Sequence, residues 1–477
     1  MNPYVLERTD GLLAARDHDL VRCMFHVVAL LLSPLSACAA LPVVAPGTTP
    51  ATSPTQVEGA KGPLSPARSR AIMTELERGA DETNIFQRHL ALEQAVTGAP
   101  LVSGNRVRLL EDGPETYRAM FKAIEAARDH INMETYILED DKVGRLFADA
   151  LIEKQRQGVQ VNVLYDSVGT LGTPVEFFER LRASGIRTLE YNPVNPATAK
   201  TGWDVNQRDH RKLLIVDGET VFLGGINISS VYSGGSFRRP ANTGPDGEQP
   251  WRDTDLQIEG PVVAEFQKLF LETWRTQRGE PLAPRAFYPA LQPQGDEVVR
   301  AIGSSPDDEF SLIYVTLLSA IASAETEILI TNAYFVPDPQ LLAALKAAAA
   351  RGVDVKLVLP GSTDSALVFH AGRSYYDQML LDGVIIFERR DALMHSKTAV
   401  IDGVWSTVGS TNLDWRSFLH NQEVNAVVLG TEFGDRMRTA FADDVAQSEQ
   451  ITLEQWRKRS FVLRIEEWFA RLWQYWL

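Results

Sequence analysis

The apolar residues of this chain fall into short runs, and the same order of runs occurs twice. INMETYIL at 131–138 and ILITNAYFV at 328–336 read as strands. Each is followed by a helical stretch, then by Gly-Val and a second strand-like run, GVQVNVLYD at 158–166 and GVDVKLVLP at 352–360. Strands alternating with helices predict β-α-β units. The expectation is therefore an α/β protein of two pseudo-symmetric domains, each a largely parallel sheet covered by helices, at 99–287 and 288–450.

The two ends follow other patterns. Met24 to Leu35 (MFHVVALLLSPL) is apolar, follows Arg22 and is too short to span a bilayer comfortably, as in the h-region of a secretory signal. It runs into Leu35-Ser36-Ala37-Cys38, which resembles the lipobox of bacterial lipoproteins, whose cysteine is lipidated. Residues 1–38 are thus expected as a signal segment with Cys38 as the lipidation site, and 39–98 as a Pro/Thr-rich tether with a helical lead-in. At the other end, Phe461, Ile465, Trp468, Leu472 and Trp476 recur at helical spacing, so 451–477 is expected to hold an amphipathic helix. Its tryptophans, with Arg464, Arg471 and the preceding Arg457-Lys458-Arg459, suit a bilayer surface; the alternative is a stripe docked on the second domain. No run of 18 uninterrupted apolar residues occurs, which excludes a multi-span integral protein.

With 477 residues, 23% of them charged, the chain is globular and long enough for two or three domains. Its net charge of -15 offers no general attraction to phosphate backbones, so nucleic acid is not an expected partner and any phosphate must be held by a local cluster of cations. Cys23 and Cys38 are the two cysteines, which leaves the body of the chain without a disulfide framework or cysteine metal site.

That local cluster is carried by the repeat. HRKLLIVDGETVFLGGIN at 210–227 matches HSKTAVIDGVWSTVGSTN at 395–412, with His210 and His395, Lys212 and Lys397, Asp217 and Asp402, and Asn227 and Asn412 each separated by 185 positions. One H-x-K-x4-D is expected by chance in roughly one such chain in a hundred, and two in register far less often. In an extended chain residues i and i+2 share a face, so each His points with its Lys. Metal-free cleavage of a phosphodiester needs a nucleophile, an acid for the leaving alkoxide and fixed positive charge around phosphorus, and the paired motifs hold all three. Between Ser229 and Pro250 lies a Gly/Pro/Ser-rich insertion with no counterpart in the second half, read as a loop near the first motif. His18, His26, His89, His130 and His420 match no partner pattern and read as surface or packed residues, while His370 is a candidate for lining a substrate channel.

RDHRKLLIVDG, GGINIS, TNAYFVPD, RGVDVKLVLPG, MHSKTAVIDGVWSTVGSTNLDWRSF and NQEVN together resemble the phospholipase D superfamily, and within it the bacterial cardiolipin synthases. The resemblance runs from about 100 to 447 and implies phosphatidyl transfer between phospholipids through a phosphohistidine, with phosphatidylglycerol and phosphatidylethanolamine as candidate lipids. It implies His210 as nucleophile and His395 as acid/base. Lys212 and Lys397 would clamp the phosphate, helped by Asn227, Asn412 and Ser410. Asp253 is expected to support His210, and Glu423 to support His395. Asp217 and Asp402, although part of the motif, precede Gly in a turn and are expected to brace the sheet. No metal or cofactor is implied. The alternatives are hydrolysis to phosphatidic acid by the same residues, a nuclease or phosphodiesterase using the same motif, and a lipid-binding scaffold. The long cardiolipin synthases carry N-terminal transmembrane helices, whereas this chain has the signal-like segment. It is therefore expected at a membrane, as a lipid-anchored envelope protein facing the periplasm or as a peripheral inner-membrane protein.

Overall fold

The computed structural model describes residues 41, 55–78, 83, 85–195, 203–235 and 250–477. The signal-like segment and Cys38 lie outside the described residues. The chain opens with a small hairpin, β1 (Val57–Gly59) and β2 (Gly62–Pro63), and β1 runs parallel to β3 (Leu101–Glu111). β4 (His130–Thr135), β5 (Gln160–Asp166) and β6 (Arg187–Tyr191) then pair in parallel, with the helices Lys142–Arg156 and Val175–Ala183 as crossovers. Every residue of β4 and β5 is buried, as expected for strands covered on both faces. The helix Lys142–Arg156 starts where the Asp141 carboxylate accepts from Gly144 N at 2.8 Å, and Gly158 follows it at a φ of +92°.

The two-residue β7 (Arg208–Asp209) leads into the hairpin β8 (Leu213–Val216) and β9 (Thr220–Gly224). β8 pairs antiparallel with β4. The two-residue β10 (Trp251–Arg252) and β11 (Thr254–Glu259) follow, and β11 joins β9 to β3, antiparallel to both.

The second half repeats the plan. β12 (Glu297–Ser304) is the counterpart of β3 and pairs with it, which joins the halves. β13 (Glu327–Asn332), β14 (Asp354–Pro360) and β15 (Ile385–Arg389) are parallel, and the intervening helix Pro339–Ala350 again has an aspartate cap, Asp338, and a following glycine, Gly352, at +93°. After the two-residue β16 (Leu393–Met394), β17 (Lys397–Ile401), β18 (Trp405–Gly409) and β19 (Asn421–Leu429) form an antiparallel meander that leads from β13 to β12, β17 pairing with β13 and β19 with β12, and β20 (Ser448–Ile451) borders β15. The fold is the expected α/β pair. Parallel pairing by crossover is confined to three strands in each half, with short parallel pairings only at β1–β3 and at two-residue bridges, and antiparallel pairing fills most of the rest because β8–β9 and β17–β18 are hairpins rather than crossovers.

Each half has its own apolar core, and a third core is shared, with Leu213, Phe266 and Phe270 from one half against Val400, Val424 and Phe441 from the other. Burying such side chains contributes ~1.5–3 kcal/mol each. The segment expected as a tether is shorter than its composition suggests. Residues 57–63 join the sheet, and Ile85, Phe86 and Leu90 enter the second-half core. His89 is buried there, with Nδ1 3.0 Å from Ser319 Oγ, and His130 is likewise packed.

Candidate active site

Both His-x-Lys segments lie at the junction of the halves, and short parallel bridges put them there. β7 pairs with the start of β19, Arg208 opposite Asn421 and Asp209 opposite Gln422, and His210 N donates to Gln422 O at 3.0 Å. β10 pairs with β16, Trp251 opposite Leu393 and Arg252 opposite Met394, and His395 N donates to Arg252 O at 2.7 Å. Arg252 locks its bridge from below, its Nε 2.9 Å from the buried Asp444 carboxylate.

The next residue along each bridge is a carboxylate, and this decides the histidine partners. His210 Nδ1 lies 3.1 Å from Glu423 Oε1, and His395 Nδ1 lies 2.6 Å from Asp253 Oδ2. The expected assignment of Asp253 to His210 and Glu423 to His395 is thus reversed. Each imidazole is held by the opposite half, because the bridges run between halves rather than within one.

The two carboxylates are supported differently. Glu423 accepts from Ser410 Oγ and from Asn421 Nδ2, and it is held below the usual range: burial works against this, while His210, Lys212 and Ser410 together outweigh it. Gly225 stands where Ser410 stands in the other half. A Cβ there would come within 2.2 Å of Asp253 Oδ1, so Asp253 has no hydroxyl donor on that side and accepts instead from Thr254 N at 2.8 Å. Burial pushes Asp253 up to about 6, with Lys397 opposing. Ser410, expected to contact phosphate, is therefore engaged with Glu423.

Lys212 and Lys397 are buried, and each Nζ donates to the backbone carbonyl of its own motif histidine, His210 and His395. Burial lowers them to about 7 and about 8 respectively, with the other lysine adding to the effect on Lys212. Burial first and the lysines second also lower His210 to about 4 and take His395 well below its ordinary value. Two neutral imidazoles beside two weakened ammonium groups form a pocket that gains from an arriving anion.

Both rings open on one cavity of about 330 Å³, which Asn227 and Asn412 also line. Asn227 Oδ1 accepts from Ile137 N at 3.0 Å and its Nδ2 donates to Tyr232, whereas the buried Asn412 Oδ1 has no partner among the described residues. Tyr232 and Trp251 flank His395, with Tyr232 Oη 3.3 Å from its Nδ1 and the Trp251 ring 4.9 Å away. The insertion thus begins and ends against a histidine. The Ser230–Tyr232 turn buries Tyr232 there, and 236–249 lie outside the described residues.

Asp217 and Asp402 stand apart from the cavity. At φ of +54° and +51°, they accept backbone N–H groups where β4 and β13 begin: Asp129 and His130 for Asp217, Thr326 and Glu327 for Asp402. They brace the sheet, so their place among candidate catalytic residues does not extend to contact with substrate. His370 faces Glu466 at 3.9 Å and is not part of the cavity wall, and His420 is half-buried beside Tyr475. Sequence reasoning passed over Tyr136, Tyr334, Asp364, Arg208 and Arg416, which all line the cavity. Arg208 had a signal, standing two residues before His210 on an extended chain.

The family model described as "Cardiolipin synthase, PLD-like domain" matches residues 120–233 and 317–445, which include both motifs. A cardiolipin synthase of Geobacillus kaustophilus is 35% identical over 385 residues, 80% of this chain and 74% of the relative. One of Alkalihalophilus pseudofirmus is 36% identical over 376 residues, 78% of this chain and 72% of the relative. The solved phosphatidylserine synthase of Haemophilus influenzae superposes with a TM-score of 0.61 at 14% identity, covering 81% of this chain and 99% of that one. At that identity the likeness concerns the fold.

Proposed function

The chain belongs to the cardiolipin synthase group of phospholipase D-like proteins, and on that premise we propose that it transfers a phosphatidyl group from one phospholipid to the hydroxyl of another at a membrane surface. The observation that carries the reading is the pair of motif histidines on one cavity, each with Nδ1 bound to a carboxylate and Nε2 left for chemistry. In the first step Nε2 of His210 attacks phosphorus, the P–O bond to the leaving alcohol breaks, and His395 gives that oxygen its proton. In the second the acceptor hydroxyl returns a proton to His395, its oxygen attacks phosphorus, and the P–N bond breaks. Lys212 and Lys397 balance charge on the phosphoryl oxygens; burial first and the lysines second keep His395 from holding a proton, and the arriving anion opposes both.

The assignment of His210 as nucleophile is supported by its neutral ring, oriented by a carboxylate held ionised. The short His395–Asp253 contact, with Asp253 raised to about 6, suits a pair that carries a proton near neutrality. Phosphatidylglycerol as donor and acceptor would give cardiolipin and glycerol.

Membrane contact is supported by the helix Phe461–Arg471. Its buried residues are Glu467, held on Arg459 at 2.8 Å, and the small Ala470, while Phe461, Ile465, Trp468 and Leu472 are exposed. That is the inverse of a docked stripe, and Trp476 and Leu477 just beyond it line the cavity, so a bilayer on this face would lie beside the active site. No helix among the described residues is long and apolar enough to cross a membrane. The Cys38 lipobox supports lipid anchorage on the periplasmic side.

Labelled phosphatidylglycerol given to purified protein, with and without glycerol or phosphatidylethanolamine and against His210→Ala, tests the reading. Cardiolipin is the expected product. Phosphatidic acid alone would make the chain a hydrolase, and no histidine-dependent product would end the lipid proposal.

A further inference from the structure

The repeat allows a subtraction. A chemistry that acts on one phosphate from two sides needs its groups in duplicate: His, Lys and Asn recur across the 185-residue offset, and each histidine has its own carboxylate, Glu423 or Asp253. The cavity wall also holds two cations that do not recur: Arg208 corresponds to Leu393, and Arg416 to Val231. A cation present in one half and absent from the other serves something that lies on one side of the site.

Resting on the transferase reading, we propose that Arg416, backed by Arg208, is a second phosphate subsite whose ligand is the phosphodiester of the acceptor phospholipid. Arg416 is half-buried, with its backbone N fixed on Leu477 O at 2.9 Å. Its Nη1 and Nη2 donate to Asn206 Oδ1 at 3.0 Å and Asn206 O at 3.1 Å, both neutral acceptors. Among the described residues no carboxylate lies within ion-pair distance of it, in contrast to Arg252, Arg389 and Arg459, which are all paired. The guanidinium is thus aimed and its charge left available, as a bidentate phosphate contact requires. Arg208 is buried, 3.6 Å from Asp166, and its Nε has no partner.

The acidic groups on the same wall are hydrogen-bonded to other donors rather than to Arg416, although Arg416 is near enough to help hold Asp414 charged. Asp364 accepts from Tyr334 Oη at 2.7 Å, and Asp414 accepts from Ser417 N at 2.7 Å. With the unpartnered Oδ1 atoms of Asn412 and Asn421, they present acceptors to hydroxyl groups. Cations beside hydroxyl acceptors fit an alcohol that is itself a phosphodiester. Water and simple alcohols gain nothing from Arg416, so this subsite biases the phosphoenzyme toward a second lipid and away from hydrolysis.

Competition between acceptors is the test. Vesicles of labelled phosphatidylglycerol are offered to the full-length protein with ethanol present, and cardiolipin is compared with phosphatidylethanol. In Arg416→Gln the ratio should fall about tenfold or more, through a raised KM for the acceptor lipid. Arg416→Lys, which keeps the charge without the fork, should lie between this variant and wild type and serves if the glutamine variant does not fold. An unchanged ratio, or loss of both products in equal measure, overturns the subsite. A wild-type protein that makes neither product ends the transferase reading instead.

Discussion

Burial and the neighbouring lysines leave the His210 ring neutral at pH 7, while Glu423 fixes its Nδ1–H, so the Nε2 lone pair is free to attack. The opposite ring has to deliver a proton, and that task vanishes when the leaving group needs none. Histidine or carboxylate variants on either side, His210→Ala, Glu423→Gln, His395→Ala and Asp253→Asn, should each lower turnover of natural lipid by about 10² or more. With a phosphatidyl p-nitrophenyl ester the prediction splits them. A burst of nitrophenolate should return in His395→Ala and Asp253→Asn and stay absent in His210→Ala and Glu423→Gln. Recovery in the pair His395 and Glu423 instead would contradict the crossed partners. The lysines set a pH limit of their own. Lys212 near 7 and Lys397 near 8 lose their protons as pH rises through those values, and an anion binds the protonated form better. Hence kcat/KM should decline from about pH 7 upward, and kcat, measured with phosphate bound and the lysines stabilised, should decline at higher pH. Coincident limbs would mean that the lysines do not contact the phosphate.

Among the elements, the two-residue bridges β7 and β10 and the last helix do what longer strands do not. Two residues of parallel pairing carry no periodicity, so nothing in the chain announced that Glu423 would meet His210 or Asp253 meet His395. The motif residues themselves were legible because duplication marks them, and Asp217 and Asp402 were read as braces because an aspartate before glycine favours a turn. The last helix was legible as a helix but not in its orientation: a stripe of Phe461, Ile465, Trp468 and Leu472 has the same spacing whether it faces in or out. Its burial of Glu467 against Arg459 settles the direction. If the exposed stripe meets lipid, Ile465→Glu with Trp468→Glu should weaken binding to phospholipid vesicles. Stability should change by no more than about 0.5 kcal/mol per site, since neither residue is buried. In cells, Cys38→Ser alone should leave part of the protein on membranes, and the triple variant should release it. Full release by Cys38→Ser alone would remove the helix from the account.

At the scale of the whole molecule, two tendencies oppose each other. The chain carries a net charge of -15, and the lipid proposed as its substrate is anionic, so long-range electrostatics push the protein away from the surface on which it would work. Within the contact region Lys458 is paired with Glu454, and Arg459 with Glu467, so these basic side chains are already partly spent inside the protein. Arg457 likewise lies 3.6 Å from Asp377, so the attraction expected to dominate is apolar, from the outward face of the last helix, and salt does not screen it. Raising ionic strength from about 0.01 M to 0.1 M shortens the screening length from about 30 Å to 10 Å, which removes most of the repulsion. Binding to phosphatidylglycerol vesicles should therefore strengthen with salt over this range, and binding to neutral phosphatidylcholine vesicles should barely change. Sedimentation of the protein with vesicles at several salt concentrations measures both. Weaker binding to the anionic vesicles with added salt would mean that Arg457, Arg464 and Arg471, rather than the apolar stripe, govern the contact, and charge reversal at those arginines would then remove it.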